Sequence, residues 1–137
     1  MTINNPERSE IKEILAKNKR IAVVGLSNNP ERTSFMVSEA MQKAGYEIIP
    51  VNPVVDEVLG VKAVKTLHDI EGKVDIVNVF RRSEFLPEIA KDAVAIGANV
   101  FWAQQGVSNE EAYNYLKENN VTVIMDRCIK VEHALTK

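Results

Sequence analysis

Cysteine is nearly absent from this chain: Cys128 stands alone, so no intramolecular disulfide can form. Histidine is equally sparse, and His68 and His133 lie far apart without metal-ligand spacing. Disulfide-held and zinc-held scaffolds are thereby excluded. With Gly 6 and Pro 5 in 137 residues, the composition is far from that of a linker or a collagen-like segment. Charge of one sign is also missing. Lys+Arg 17 against Asp+Glu 19 leaves −2, so no basic surplus is available to neutralise a nucleic-acid backbone, and no nucleic-acid partner is expected. No apolar run approaches the roughly 18 residues of a membrane span. The start, MTINNPERSEIKEILAKNKR, is polar where a signal peptide would be apolar, so a cytoplasmic location without a membrane partner is expected. Repeats and low-complexity tracts are absent too. The length falls just under the roughly 150 residues of a typical domain, and residues 1–137 are read as a single one.

What the chain does have is 45% hydrophobic residues, enough for a real core, arranged in two alternating patterns. Short, nearly continuous apolar runs occur at Ile21 to Gly25, Glu47 to Val51, Asp75 to Phe80, Asn99 to Ala103 and Val121 to Met125. Runs of this kind are strands whose sheet is covered on both faces. Between them the period is helical. Val37, Ala40, Met41 and Ala44 share one face, with Gly45 as the stop; Leu86, Ile89, Ala90 and Ala93 repeat that spacing, with Ser83 as N-cap and Gly97 at the end. Ser108 and Glu111 have capping-box spacing before a stripe of Ala112, Tyr115 and Leu116. Ile11, Ile14 and Leu15 predict a helix ahead of the first strand, and Cys128, Val131 and Leu135 predict a closing one. The link from Asn52 to Val74 reads as loop with at most a short helix. Strands alternating with crossover helices require parallel pairing, which makes the fold α/β: an open, doubly wound sheet with helices on both faces. Ligands of such sheets bind beyond the carboxyl ends of the strands.

The segments at those ends carry the candidate chemistry. After the first strand, Gly25-Leu26-Ser27-Asn28-Asn29-Pro30-Glu31-Arg32-Thr33-Ser34 leads into a helix and resembles a phosphate loop. Gly25 lets backbone approach a ligand, Ser27, Thr33 and Ser34 offer hydroxyls, Arg32 offers a bidentate cation, and the helix start offers free N–H groups. The same residues also read as a capped turn with a solvated arginine. Neither GxGxxG nor GxxxxGK[ST] is present, which argues against ordinary dinucleotide and NTP sites. The second strand ends in Asn52-Pro53, where an NAD site would carry an acid for the ribose hydroxyls; an amide there tolerates a phosphorylated ribose, or simply ends the strand. The third ends in Phe80-Arg81-Arg82, and the fourth runs Phe101-Trp102-Ala103-Gln104-Gln105-Gly106. That mixture suits a phosphorylated ligand with a neutral, amide-bearing arm, although Phe80, Phe101 and Trp102 taken singly are better suited to a core. A phospho-receiver domain would need acids where Gly25-Leu26-Ser27 and Phe80-Arg81 stand, so that reading is excluded.

Taken together, VVGLSNNPERTS (Val23 to Ser34), GYEIIPVNP (Gly45 to Pro53), VDIVNVFR (Val74 to Arg81), VFWAQQGV (Val100 to Val107) and VIMDRCIKVEH (Val123 to His133) closely resemble the family of small stand-alone CoA-binding proteins. These are similar to the N-terminal CoA-binding domain of the succinyl-CoA synthetase alpha subunit and of ADP-forming acyl-CoA synthetases. The resemblance implies a Rossmann-like five-stranded parallel sheet. It implies that Gly25, Ser27, Arg32 and Ser34 hold the phosphates of CoA and that Asn52 and Pro53 border the adenosine. Phe80 and Arg81 would line the path of nucleotide and pantetheine, and Gln104 with Gly106 would flank the arm. Gln105 takes the place where the synthetase subunit has an acid, and nothing in the chain supplies a ligase domain or a phosphorylated histidine.

The expectation is a CoA or acyl-CoA binder, non-catalytic or regulatory, without a metal and with no protein partner specified. Two alternatives stand beside it: a subunit of an acyl-CoA-utilising enzyme completed by a partner chain, and an NAD or nucleotide binder. His68, His133 and Cys128 form no catalytic unit by spacing. For Cys128 two readings stay open. With Asp126 as N-cap it falls in the first turn of the closing helix, where the dipole and Arg127 favour a thiolate able to pair with the CoA thiol. Alternatively it packs in the core beside Val131 and Leu135.

Overall fold

A computed structural model describes residues 3–137. In chain order the elements are α1 (Arg8–Lys17), β1 (Arg20–Val24), α2 (Thr33–Lys43), β2 (Glu47–Val51), β3 (Glu57–Val58), β4 (Val61–Lys62), β5 (Ile76–Val79), α3 (Leu86–Ala95), β6 (Val100–Ala103), α4 (Glu110–Glu118), β7 (Thr122–Ile124) and α5 (Ile129–Thr136). The five longer strands form one parallel sheet in the order β2-β1-β5-β6-β7, and β3 pairs with β4 in a separate antiparallel hairpin. The chain runs outward from β1 to β2, then crosses back to β5, so strand order reverses between β1 and β5. There the registers Val24↔Val51 and Val24↔Val79 bring the ends of β1, β2 and β5 level with one another.

Successive strand residues feed opposite cores, as a doubly covered sheet requires. Ala22, Val24, Val77, Val79 and Phe101 face α3 and α4, where Leu86, Ala90, Ala93, Ala112 and Leu116 are wholly buried. Ile21, Val23, Ile76, Trp102 and Ile124 face α1, α2 and α5 through Ile11, Leu15, Val37, Met41 and Ile129. Phe101 and Trp102 therefore belong to the core, and the Trp102 indole N–H donates to the Arg127 carbonyl at 2.9 Å.

Several sequence expectations are corrected. The link after β2 is not plain loop: it holds the β3–β4 hairpin and a 3₁₀ turn at Leu67–Asp69. Ser83 does not cap α3; it opens a 3₁₀ turn (Ser83–Phe85), and its hydroxyl accepts the Ser108 N–H at 3.0 Å. The cap of α4 is Asn109, whose side chain accepts from Ala112 at 2.9 Å, and Tyr113 is buried in place of Tyr115. Asp126 adopts φ 60 and is not a helix cap; Cys128 occupies that position, half-buried and one residue before the first turn of α5.

The inward face of α5 consists of Ile129, Glu132 and Thr136, while Val131 and Leu135 are 48% and 57% exposed. Polar residues can face inward here because each has a partner. Glu132 meets the Arg8 guanidinium of α1 at 3.3 Å, and the Thr136 hydroxyl donates to the Glu132 carbonyl at 2.7 Å.

Both flanks of the sheet carry extra chain. Beside β2, Val64 bridges to Val51 in parallel fashion. Beside β7, the Asn5 side chain donates to the Met125 carbonyl at 2.8 Å and accepts the Met125 N–H at 2.9 Å, as a neighbouring strand would.

Candidate functional site

The loop from β1 to α2 crosses the point of strand reversal. Gly25 there has φ +86, and its N–H donates to the Val51 carbonyl at 2.9 Å. The loop then holds itself together: the Ser27 N–H donates to the Ser34 hydroxyl (3.1 Å), the Asn29 N–H to the Ser27 hydroxyl (3.0 Å), and the Glu31 N–H to the Asn29 side chain (3.0 Å). Ser27 and Ser34 thus shape the loop, each hydroxyl keeping its own hydrogen to donate. Arg32 precedes α2, and no side chain caps the start of that helix. Asn52 braces the next loop, donating to the Leu26 carbonyl at 3.0 Å and accepting the Val54 N–H at 2.9 Å.

Two clefts open along this rim. The first, about 650 Å³, is bounded by Gly25, Arg32, Asn52, Pro53, Phe80 and Arg81 of the sequence set, together with Lys65, Thr66, Glu88 and Asp92. The second, about 590 Å³, is bounded by Thr33, Phe80, Arg81, Arg82, Gln104, Gln105, Gly106 and Cys128. Phe80 and Arg81 belong to both, so the clefts meet at the end of β5. Ser27 and Ser34 line neither. Arg81 holds its guanidinium 4.4 Å from the Phe85 ring centroid, a cation–π contact that keeps the charge at the junction.

In the second cleft the polar groups are fixed from behind. Gln104, 5% exposed, donates to the buried Asn78 side chain and accepts the Ile129 N–H at 3.4 Å. The Gly106 N–H donates to Asp126 at 2.7 Å. Gln104 and Gly106 consequently set the cleft wall more than they offer free donors to it.

The first cleft carries charges of both signs. Among the described residues, no carboxylate oxygen lies within 4.0 Å of the side-chain nitrogens of Arg32, Lys65 or Arg81. Glu88 and Asp92 form the α3 side, and His68 Nε2 lies 3.0 Å from Asp92 Oδ1. Lys65, Thr66, Glu88 and Asp92 were not among the sequence candidates. Glu88 and Asp92 could have been found as an i, i+4 polar pair on the face opposite Leu86 and Ala90, whereas Lys65 carries no local signal at all. Of the remaining chemistry-bearing residues, Cys128 lines the second cleft, and His133 packs edge-on against Tyr46 at 5.5 Å between ring centroids, under the other face of the sheet.

Comparison with known proteins gives a consistent picture. A family model described as a CoA binding domain matches residues 19–134. An uncharacterized protein of Bacillus subtilis, YneT, is 67% identical over 135 residues, covering 98% of this chain and 100% of that one. The ADP-forming acetate–CoA ligase of Methanocaldococcus jannaschii is 25% identical over an alignment of 125 residues, with 82% of this chain and 17% of the ligase covered. Among solved structures, a hypothetical protein from Pyrococcus horikoshii OT3 superposes with a TM-score of 0.93 at 34% identity, covering 99% of each chain.

Proposed function

Because this chain belongs to the CoA binding domain family, we propose that residues 1–137 act as one cytoplasmic CoA or acyl-CoA binding domain, non-catalytic in itself and regulatory in role. The observation that carries this reading is the meeting of the two clefts at Phe80 and Arg81, which gives an elongated site with cations at its middle. A ligand with phosphates between a nucleoside and a neutral arm matches that layout. The diphosphate lies against the Gly25 to Ser34 loop, where Arg32 and the uncapped start of α2 supply positive charge. The adenosine occupies the first cleft beside Asn52 and Pro53, and the pantetheine arm crosses Phe80 and Arg81 toward Gln104 and Gly106.

The separation of the nucleophile and base candidates supports the non-catalytic reading. Cys128 lines the second cleft, His68 pairs with Asp92 at the first, and His133 packs against Tyr46. Nucleophilic catalysis needs nucleophile and base within hydrogen-bond reach, and these three residues are distributed over three places. A second reading, a CoA-binding subunit of an acyl-CoA enzyme whose catalytic groups come from another chain, is favoured by the ligase relative, of which this chain spans 17%.

Titration calorimetry with CoA, dephospho-CoA and NAD tests the binding reading. CoA should bind tightest and NAD weakest. NAD binding equal to or tighter than CoA binding would overturn it.

A further inference from the structure

Lys65 lies outside the β1 loop and outside every helix, yet its position is fixed from both sides. On one side, the Val64 N–H donates to the Pro50 carbonyl at 2.9 Å and the Val64 carbonyl accepts the Asn52 N–H at 2.9 Å, which clamps residue 64 along the end of β2. On the other, Thr66 begins a 3₁₀ turn through a capping box, with Asp69 accepting the Thr66 hydroxyl at 3.0 Å and the Thr66 N–H at 3.2 Å. The backbone of Lys65 is thereby held beside Asn52, while its exposed ammonium is free of carboxylate partners among the described residues and borders the first cleft.

In a nucleotide-binding sheet of this kind, the end of the second strand is where the ribose hydroxyls are read. An acid there selects a free hydroxyl, and a cation there accommodates a phosphate on the ribose. Here that place holds the neutral Asn52, and Lys65 borders the same cleft. Glu88 and Asp92 of α3 border the same cleft, Asp92 with His68 at 3.0 Å, so the positive charge available to an anion there is that of Lys65, Arg32 and Arg81.

We propose that Lys65 is the specificity-determining residue of this site and reads a phosphomonoester carried on the ribose of the bound nucleotide. This rests on the CoA reading above for the identity of the ligand, in which case the group is the 3′-phosphate. The chemistry it recognises is shared with a 2′-phosphorylated dinucleotide.

The test is calorimetry of CoA and dephospho-CoA, and of NADP and NAD, against the unmodified protein, Lys65→Gln and Lys65→Arg, with circular dichroism to check folding. The unmodified protein should prefer CoA over dephospho-CoA by roughly tenfold or more, the discrimination expected of one charge-assisted phosphate contact. Lys65→Gln should bind CoA no better than dephospho-CoA and leave dephospho-CoA affinity unchanged, and Lys65→Arg should keep the preference. Equal weakening of both ligands by Lys65→Gln, no effect on either, or no preference in the unmodified protein overturns the proposal. If CoA does not bind but NADP is preferred over NAD, and Lys65→Gln abolishes that preference, the CoA reading fails while the assignment of Lys65 stands.

Discussion

A Cβ placed on Gly25 would stand 2.8 Å from the Phe80 carbonyl oxygen. The loop after β1 and the end of β5 are therefore in backbone contact, and the glycine is required twice over, by that contact and by φ +86. Gly25→Ala should destabilise the fold by about 1–3 kcal/mol, the usual magnitude of backbone strain at such a position, and should weaken CoA binding as Phe80 and Arg81 are displaced. Urea denaturation and calorimetry read the two effects separately. An alanine variant with unchanged stability would show that the two loops can part without cost.

Arg32→Ala should leave stability unchanged, since the side chain is exposed and makes no hydrogen bond to protein among the described residues. CoA binding should weaken by about 1.5 to 3 kcal/mol, the worth of one charge-assisted phosphate contact, with Arg32→Lys recovering part of it. Unchanged affinity would return Arg32 to the status of a solvated loop residue.

Asn5→Ala removes both hydrogen bonds to Met125 and exposes that backbone to imperfect solvation. A loss of about 1–3 kcal/mol in urea denaturation is expected. Asn5→Asp keeps an acceptor for the Met125 N–H but turns a carboxylate oxygen toward the Met125 carbonyl, so it should lose at least as much as Asn5→Ala.

Stability should decline at both ends of the pH range through His133 and Tyr46. Burial, with the charges of Lys137 and Lys19 adding to it, holds the His133 pKa below the ordinary histidine value. The unfolded chain then takes up a proton before the folded one does, so stability falls as pH drops through the ordinary histidine range. Burial raises the Tyr46 pKa, and its hydroxyl donates to the Leu15 carbonyl at 2.7 Å. The unfolded tyrosine loses its proton first, so stability also falls as pH climbs past the ordinary tyrosine value. His133→Gln should flatten the acid limb alone, and Tyr46→Phe the alkaline one, in thermal melts recorded across pH.

How far the sequence reaches depends on whether a signal is local. Strand cores such as Ile21 to Val24 are readable because both faces are buried and every position must be apolar. The β3–β4 hairpin is not, since two-residue strands show no alternation and its turn places Leu59 (φ 55) where an Asn-Gly pair would have announced it. The face of α5 is misjudged because Glu132 and Thr136 are buried through pairing, which a count of apolar residues cannot detect. Along the first cleft, Gly25, Asn52 and Phe80 are legible from their place at strand ends and Arg32 from the loop that leads into α2. Lys65 escapes because it reaches the same rim through the Val64 bridge, a contact between distant segments.

The chain laid along each flank of the sheet has a consequence for behaviour in concentrated solution. A parallel sheet with bare outer strands offers rows of unpaired N–H and C=O groups, which are templates for another chain to add to. Here Val64 occupies the backbone groups at the end of β2, and the Asn5 amide occupies those just past β7. Each flank is thus closed to an added strand at one position next to the rim, at Pro50 and Asn52 on one side and at Met125 on the other, while the clefts between them stay open.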